Sequence, residues 1–350
     1  MDFDIRQSRI AKGLAVMLLI WHHVYYNTMD NQQRFVSLLS IKGVPIECMI
    51  SDYAKVCVAI FLVLSGYGLF KSWMNHFAII PGGNYNLTIK DQSSFVIKHL
   101  FKLMLAFWFI YLLFVPMSIW FGEPFWNVYK GNAIFGLVDF LGVSAILSTR
   151  TMNPTWWFMG AIIILYILLP FLIRLFSYSK DLLLVISAVV SLLPIRITQF
   201  MVEFKLCLLP FVLGMYLAEK NGFKRIDEAL NSWTKRILVI TLSLVFTATI
   251  QRDCNQLRPF FAIAVICFSF IFLSRIPIIR NVLEFLGKHS SNIFMFHTFI
   301  YEIYFRSFIY GFRYSIVIYC VFVLLCLVIS VCIEQLKRVS GFYKLLMIFS

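Results

Sequence analysis

Long apolar runs separated by short polar connections recur along the whole 350-residue chain. A helix that crosses a bilayer needs about 20 predominantly apolar residues, and most of these runs approach or reach that length. The pattern predicts about ten transmembrane helices, near residues 13–29, 54–72, 97–119, 155–176, 181–195, 203–219, 235–250, 258–274, 282–304 and 313–336. The runs at 181–195 and 235–250 are short for a span, which weakens the count.

Two further stretches do not fit the pattern of full spans. Gly131 to Ser148 is apolar but contains Asp139, and Ile41 to Ile50 is short and interrupted by Pro45. Each is predicted as an interfacial or re-entrant helix on the outer face.

The composition supports the same fold class. Apolar residues make up 61% of the chain and aromatic residues 17%, far above the values typical of soluble domains. We therefore predict an all-α, polytopic integral membrane helix bundle that forms one domain over residues 1–350. The first apolar run follows several basic residues and precedes no small-residue cleavage site, so we expect it to stay as the first span.

The net charge of +14 is distributed unevenly across the predicted topology. With the N-terminus inside, 20 of the 31 Lys and Arg residues fall on the cytoplasmic side and 11 on the other. This bias follows the positive-inside rule and predicts that both termini are cytoplasmic, in the inner (cytoplasmic) membrane of the cell. Contact with anionic lipid explains the remaining charge, so a nucleic-acid partner is not expected.

The eight cysteines are scattered, and most lie inside apolar runs. None has CxxC spacing or a Cys/His pattern typical of a metal site. Buried cysteines of this kind behave as small hydrophobic residues. We therefore predict neither disulfides, nor a metal, nor a bound cofactor.

The first predicted helix contains candidate chemistry, because His22 and His23 are ionisable residues at membrane depth. Lys12 lies eleven positions before His23, about 16 Å along a helix axis and on nearly the same face. A lysine at the inner end suits a phosphate-bearing donor such as a nucleotide or coenzyme A, and a deeper neutral imidazole suits proton removal from a hydroxyl. Alternatively, Lys12 reaches the membrane interface and the histidines hydrogen-bond to neighbouring helices. The spacing alone leaves both interpretations open.

Four segments then indicate a family. They are Lys12 to His23, Val58 to Tyr67 with Phe61, Ser65 and Gly66, Trp157 to Met159 with Tyr166 and Pro170, and Leu286 to His297. In order and spacing they resemble the sequence elements of the membrane acyltransferases called acyltransferase family 3. The chain departs from that pattern where many sugar-acylating members have a Glu pair, since Ile162 and Ile163 stand there, and Phe294 replaces a Tyr.

The resemblance implies transfer of an acyl group, most often acetyl, from an acyl-CoA donor to a hydroxyl of a carbohydrate or lipid-linked cell-envelope acceptor. It assigns His23 as the base or acyl relay. Coenzyme A phosphates would be held by the basic residues Lys12, Lys98, His99 and Lys102. Possible supporting residues are His22, Ser65, Trp157, Glu302 and His297. For Ser65 and Gly66 a small-residue packing seam is an equally strong interpretation.

Two local interpretations concern polar residues elsewhere. We expect Glu302 to pair with Arg306 four residues later rather than to orient His23, and its five-residue separation from His297 argues against a direct dyad. Four tryptophans are predicted to form an outer aromatic belt: Trp120, Trp126, Trp156 and Trp157.

Two other functions remain open. The first is an exporter or flippase of an envelope polysaccharide precursor, which predicts broken helices, with Pro194 and Pro210 as the candidates. The second is a purely structural or partner-binding membrane subunit. That role would leave the alignment of Lys12 with His23 unexplained.

Overall fold

The computed structural model describes residues 2–26, 35–78, 88–122, 124–195 and 197–348. Nearly all regular structure there is helical, apart from an antiparallel hairpin of β1 (Ser40–Ile41) and β2 (Val44–Pro45). The α-helices are α1 (Ile5–Tyr25), α2 (Ile46–Ala54), α3 (Val56–His76), α4 (Ile89–Met117), α5 (Phe125–Val128), α6 (Ala133–Phe140), α7 (Trp157–Tyr178), α8 (Lys180–Leu192), α9 (Gln199–Glu219), α10 (Gly222–Ala229), α11 (Trp233–Asp253), α12 (Arg258–Ile271), α13 (Pro277–Lys288), α14 (Ser290–Thr298), α15 (Arg306–Gly311), α16 (Ser315–Val339) and α17 (Phe342–Ile348).

Seven helical stretches in the described part of the chain are long and apolar enough to cross a membrane. They are Ile46–His76, Ile89–Phe121, Pro154–Tyr178, Gln199–Glu219, Trp233–Arg252, Asn255–Arg275 and Ser315–Val339. The predicted class, a membrane protein built of helices, is confirmed. Helices also lie at the other three predicted positions, but α1, α8 and the segment at 277–304 do not combine the required length and hydropathy. The count of ten and the cytoplasmic termini stay predictions, and the predicted end of the first span, 27–29, lies outside the described residues.

Helix α1 lies in the middle of the bundle and packs against α2, α3, α12, α13, α14 and α16. Its closest neighbour is α13, and glycines make the approach possible. A Cβ atom added at Gly13 would lie 2.0 Å from the carbonyl oxygen of Leu283, and one at Gly287 would lie 1.8 Å from that of Arg9. Because no larger residue fits at either position, this seam fixes α1 against α13.

A second glycine seam joins α3 to α9. A Cβ atom at Gly66 would lie 2.0 Å from the carbonyl oxygen of Phe211, and one at Gly214 would lie 2.1 Å from that of Val63. The two backbones therefore touch, as small residues allow in membrane helix pairs. Gly66 thus has the packing role that the sequence offered as an alternative to a site role.

The segment predicted as the ninth span is broken rather than continuous. Helix α13 ends at Lys288, α14 begins at Ser290, and a π-helix follows at Phe299–Tyr304. π-Helical turns often occur at functional sites. The two prolines named as candidate helix breaks for an exporter do not interrupt a helix. Pro210 lies inside the continuous α9, and Pro194 lies beyond the end of α8.

Glu47 is a buried polar centre that joins the hairpin region to the bundle. Its carboxylate accepts hydrogen bonds from Leu38 N at 2.7 Å, Ser37 Oγ at 2.6 Å and Ser315 Oγ at 2.5 Å. Its backbone oxygen accepts from Trp21 Nε1 at 3.1 Å, which connects α2 to α1. The stretch at 41–50 is therefore a hairpin followed by the start of α2, and not one interfacial helix. The stretch at 131–148 contains only the short α6.

Candidate functional site

Two imidazoles meet in the interior of the bundle. His23, in the last turn of α1, and His297, in α14, have ring centroids 4.8 Å apart. Tyr301 lies beside both, with its ring 6.3 Å from that of His23 and 6.4 Å from that of His297. His22 contacts His23 from the same helix at 5.1 Å. We call His22, His23 and His297 the histidine cluster.

Backbone hydrogen bonds fix the tautomers of two members of the cluster. His297 Nδ1 lies 3.0 Å from the carbonyl oxygens of both Ile293 and Phe294, and His22 Nδ1 lies 2.8 Å from that of Ser51. A carbonyl oxygen can only accept, so Nδ1 must carry the hydrogen in both rings and each neutral Nε2 has a lone pair. The Nε2 atom of His297 lies 3.5 Å from Thr298 Oγ1, whose hydroxyl can donate to it. His23 makes no hydrogen bond to the residues that the structure describes. It is therefore the one member of the cluster whose tautomer is not fixed by a hydrogen bond to the described residues.

A basic cavity of about 1090 Å³ opens at the N-terminal end of α1. Its wall includes Arg9, Lys12, Lys71 and Lys288, against the single carboxylate of Asp4. That carboxylate is already engaged, because Asp4 Oδ1 accepts from Gln7 N at 2.9 Å as the N-cap of α1. An excess of cations around a large cavity suits a ligand with several phosphates.

An aromatic layer separates this cavity from the histidine cluster. The innermost wall residues include Leu64 on α3 and Ser291 on α14. Beyond them Phe61 packs on Phe294 at 5.7 Å, and Phe158 packs on Phe294 at 4.9 Å. The Phe294 ring in turn lies 6.3 Å from that of His297. Access from the cavity to His23 therefore requires these side chains to move.

Only some of the predicted donor-binding residues lie at the basic cavity. Lys12 lines the basic cavity. His99 reaches it indirectly, since its Nε2 lies 3.2 Å from Ser72 Oγ and Ser72 is a wall residue. Lys98 and Lys102, on the same helix as His99, are absent from the wall. Three other basic residues line the cavity and were not among the predicted donor-binding residues: Arg9, Lys71 and Lys288.

Of the possible supporting residues, only some lie near His23. His297 and His22 join His23, as described above. Ser65, next to the α3–α9 seam, is absent from the wall of the basic cavity and from the walls of the two smaller cavities around Lys55 and Arg258. Trp157 lies with Lys55, Glu203 and Arg258 around a narrow cleft of about 30 Å³.

The expected Glu302–Arg306 pair is wrong. Glu302 and Arg306 are both exposed, and no ion pair joins them in the described chain. Four residues bring two side chains together only along one continuous α-helix. Here Glu302 belongs to the π-helix, which ends at Tyr304, and Arg306 begins α15.

The aromatic-belt interpretation is wrong for Trp156. This residue is only 1% exposed, and its Nε1 donates to the backbone oxygen of Met295 at 2.9 Å. Asn153 Nδ2 donates to the same oxygen at 3.1 Å. Trp120 and Trp126, at 76% and 47%, are exposed as a belt requires.

Trp156 and Asn153 thus hold α14 two residues before His297, a role that the sequence analysis missed. The signal was present, because Asn153 followed by Pro154 is a common start of a helix. The preceding loop is anchored by Asp139, whose carboxylate accepts from Tyr129, Ser144 and Met152 N, each at 2.8 Å. Burial raises the pKa of Asp139, and these hydrogen bonds oppose that rise.

A second cavity, of about 400 Å³, lies at the C-terminal end of α1 beside Tyr26. Its wall comes from α1, α2, α11 and the start of α12. No pattern in the sequence indicated this cavity, because its charged residues, among them Lys55 and Arg258, are far apart in the chain. We call it the far cavity.

Comparison with known proteins supports a family for the chain. A family model described as an acyltransferase domain, Acyl_transf_3, matches residues 6–335, essentially the whole chain. Neither the curated proteins nor the solved structures compared with the chain match it. The matched range includes both helices that bring the histidine cluster together.

Proposed function

The chain belongs to the acyltransferase family whose model it matches over residues 6–335, and from this premise we propose the reaction it performs. The protein moves an acyl group, acetyl in the simplest case, from acyl-CoA to a hydroxyl of a carbohydrate or lipid-linked acceptor of the cell envelope. It does so in the cytoplasmic membrane, with His23 as the group that handles the proton.

One observation carries this proposal: His23 and His297, far apart in sequence, have rings 4.8 Å apart inside the bundle. A polar side chain at membrane depth without a hydrogen bond is costly, and His23 contacts the His297 ring without a hydrogen bond to the residues that the structure describes. The lone pair of His297 Nε2 has one long contact, with Thr298 Oγ1 at 3.5 Å, so this nitrogen can accept an N–H of a protonated His23 in its place. The pair is suited to receiving a proton at His23 and holding that ring in place.

The donor would bind in the basic cavity. The phosphates of coenzyme A would lie among Arg9, Lys12, Lys71 and Lys288, each a charge-assisted donor. Lys12 and His23 share one helix and are about 16 Å apart along its axis, a separation that calls for an extended donor arm. The acyl arm would pass the layer of Phe61, Phe158 and Phe294 to reach His23.

The reaction balances with these groups. His23 takes the proton of the acceptor hydroxyl as the hydroxyl oxygen bonds to the thioester carbonyl carbon. The carbon–sulfur bond then breaks, and the coenzyme A thiolate takes the proton from His23. The products are the O-acyl acceptor and free coenzyme A. If His23 instead carries the acyl group, a protein-bound acyl intermediate forms before the acceptor arrives.

The test uses purified protein in lipid nanodiscs with radiolabelled acetyl-CoA and an envelope carbohydrate fraction. We expect coenzyme A release together with label in the carbohydrate, and label on the protein without acceptor only if His23 is a relay. Palmitoyl-CoA in a parallel reaction tests the choice of a short acyl group. Folded protein that neither binds nor turns over either donor would contradict the proposal and favour export of a precursor.

A further inference from the structure

The far cavity has a charge and a position that point to a ligand. It lies at the opposite end of α1 from the basic cavity, so the two cavities flank the histidine cluster along this helix. Tyr26, on its wall, packs against the His22 ring at 4.4 Å. The Ser51 oxygen that fixes His22 immediately precedes Asp52, another wall residue. A molecule in the far cavity would therefore lie next to the cluster.

The wall of the far cavity is mainly cationic. It contains Lys55, Arg252 and Arg258, and the one acid on it is Asp52. Lys55 forms an ion pair with Glu203 at 3.8 Å, and Glu203 lies with Lys55 and Arg258 around the adjoining narrow cleft rather than on this wall. Lys55 also occupies the junction before α3, and Arg258 is the first residue of α12.

Two buried polar atoms of wall residues lack partners. Arg258 Nε, a donor, and Gln251 Oε1, an acceptor, are both inaccessible to solvent, and neither has a hydrogen bond to the residues that the structure describes. Of the two, only the Arg258 N–H calls for an anionic oxygen. Another nitrogen of the same guanidinium, Arg258 Nη2, donates a hydrogen bond to Asn255 Oδ1. A buried guanidinium N–H without an acceptor is costly, and an anionic oxygen is the acceptor that compensates it best.

We propose that the far cavity is the acceptor site and that the acceptor is anionic, with a carboxylate or phosphate held by Arg258, Lys55 and Arg252. This inference rests on the proposed acyltransferase function and adds the chemical class of the acceptor. The planar guanidinium of Arg258 can take two oxygens of a carboxylate or phosphate side by side. An acidic sugar fits this description, and so does a sugar linked to lipid through phosphate.

The test compares three sugars that differ in charge: cellobiose, its uronic acid cellobiouronate, and glucose 6-phosphate. Each is titrated by calorimetry into protein in zwitterionic phosphatidylcholine nanodiscs, so that no anionic lipid competes. We expect at least one anionic sugar to bind about tenfold or more tighter than cellobiose, as expected for a charge-assisted contact. Which anion binds distinguishes a carboxylate acceptor from a phosphate-linked one.

The variants Arg258→Gln and Lys55→Gln should each reduce that preference to within about threefold. Arg150→Gln, an exposed cation outside the cavity wall, should leave it unchanged. Acetyl-CoA binding measured by calorimetry in the same nanodiscs shows that each variant is folded, because neither Arg258 nor Lys55 lines the basic cavity. Acetyl-CoA turnover of the wild type reports separately on the proposed function.

Equal affinity for charged and neutral sugars, or no binding of any of them to protein that turns over acetyl-CoA, would overturn the anionic acceptor and leave the acyltransferase standing. An anion preference that survives in both Arg258→Gln and Lys55→Gln would place the anion elsewhere and also overturn the inference.

Discussion

The replacement of His297 by glutamine separates a structural role of this residue from a role in proton handling. His297 is fully buried, and its Nδ1–H is held by two backbone oxygens at 3.0 Å. The glutamine amide can donate to the same oxygens and is close to histidine in size. It cannot share a proton with His23, because an amide does not titrate in the relevant pH range.

We expect His297→Gln to have a small effect on stability and a large effect on activity. The variant keeps a donor for the backbone oxygens, so the free energy of unfolding should change by no more than about 1 kcal/mol. Acid–base assistance contributes about 10²–10⁴-fold to rate, and we expect kcat to fall within that range. The KM for acetyl-CoA should stay unchanged, because His297 does not line the basic cavity.

The assay is coenzyme A release as a function of pH, with thermal unfolding measured on the same preparation. In the wild type the kcat profile should follow the coupled titration of two imidazoles, and in His297→Gln that of one. His289→Gln is the matched control, since His289 is also buried, with Nδ1 2.9 Å from Ser330 Oγ, but lies outside the histidine cluster. It should retain activity.

Two results would refute this reasoning. Full activity of His297→Gln would show that contact with His23 has no part in the reaction. Equal losses in His297→Gln and His289→Gln, each with lowered unfolding temperature, would show that both histidines only hold α14 in place.

Three further predictions concern the donor cavity and the helix seams. Lys12→Gln should raise the KM for acetyl-CoA about 10-fold or more, as expected for a lost phosphate contact, whereas Lys102→Gln, off the cavity wall, should change it little in the same kinetic assay. Gly68→Leu places a side chain in the basic cavity from a position with no neighbour within 4 Å, so isothermal titration should show weakened acetyl-CoA binding with unfolding temperature preserved. Gly287→Ala should destabilise the protein by about 1–3 kcal/mol or prevent folding, because its Cβ would overlap the α1 backbone. The control Gly311→Ala should leave thermal unfolding unchanged, because no atom lies within 4 Å of its added Cβ. An unchanged unfolding temperature of Gly287→Ala would contradict the close contact of α1 with α13.

The helical class could be predicted from the hydrophobic runs alone. A segment inside the bilayer has no water to bond to, so its backbone N–H and C=O groups must hydrogen-bond to one another, as they do in a helix. The break at His289 and the π-helix at Phe299–Tyr304 did not follow, since the chain from His289 to Tyr304 contains no proline or glycine that would indicate an interruption. The Glu302–Arg306 prediction failed for that reason: it assumed an α-helical spacing that the chain abandons between them.

The site was partly predictable. His23 and Lys12 share one helix, so their spacing could be derived from helix geometry. The contact of His23 with His297 was beyond local reasoning, because the packing of α1 against α14 sets it. Trp156 was misplaced for a related reason: tryptophan before a membrane helix is typical of the interface, and only tertiary structure shows its Nε1 bonded to Met295.

Substitution of the two adjacent histidines of α1 tests the central claim most directly. Coenzyme A release from acetyl-CoA is measured for wild type, His23→Ala and His22→Ala in nanodiscs, with acetyl-CoA binding measured in parallel to confirm folding. We predict that His23→Ala still binds acetyl-CoA but loses its turnover, and that His22→Ala, whose ring is held by Ser51, keeps most of it. Equal turnover in His23→Ala and wild type, or equal loss from both substitutions, would contradict the assignment of His23.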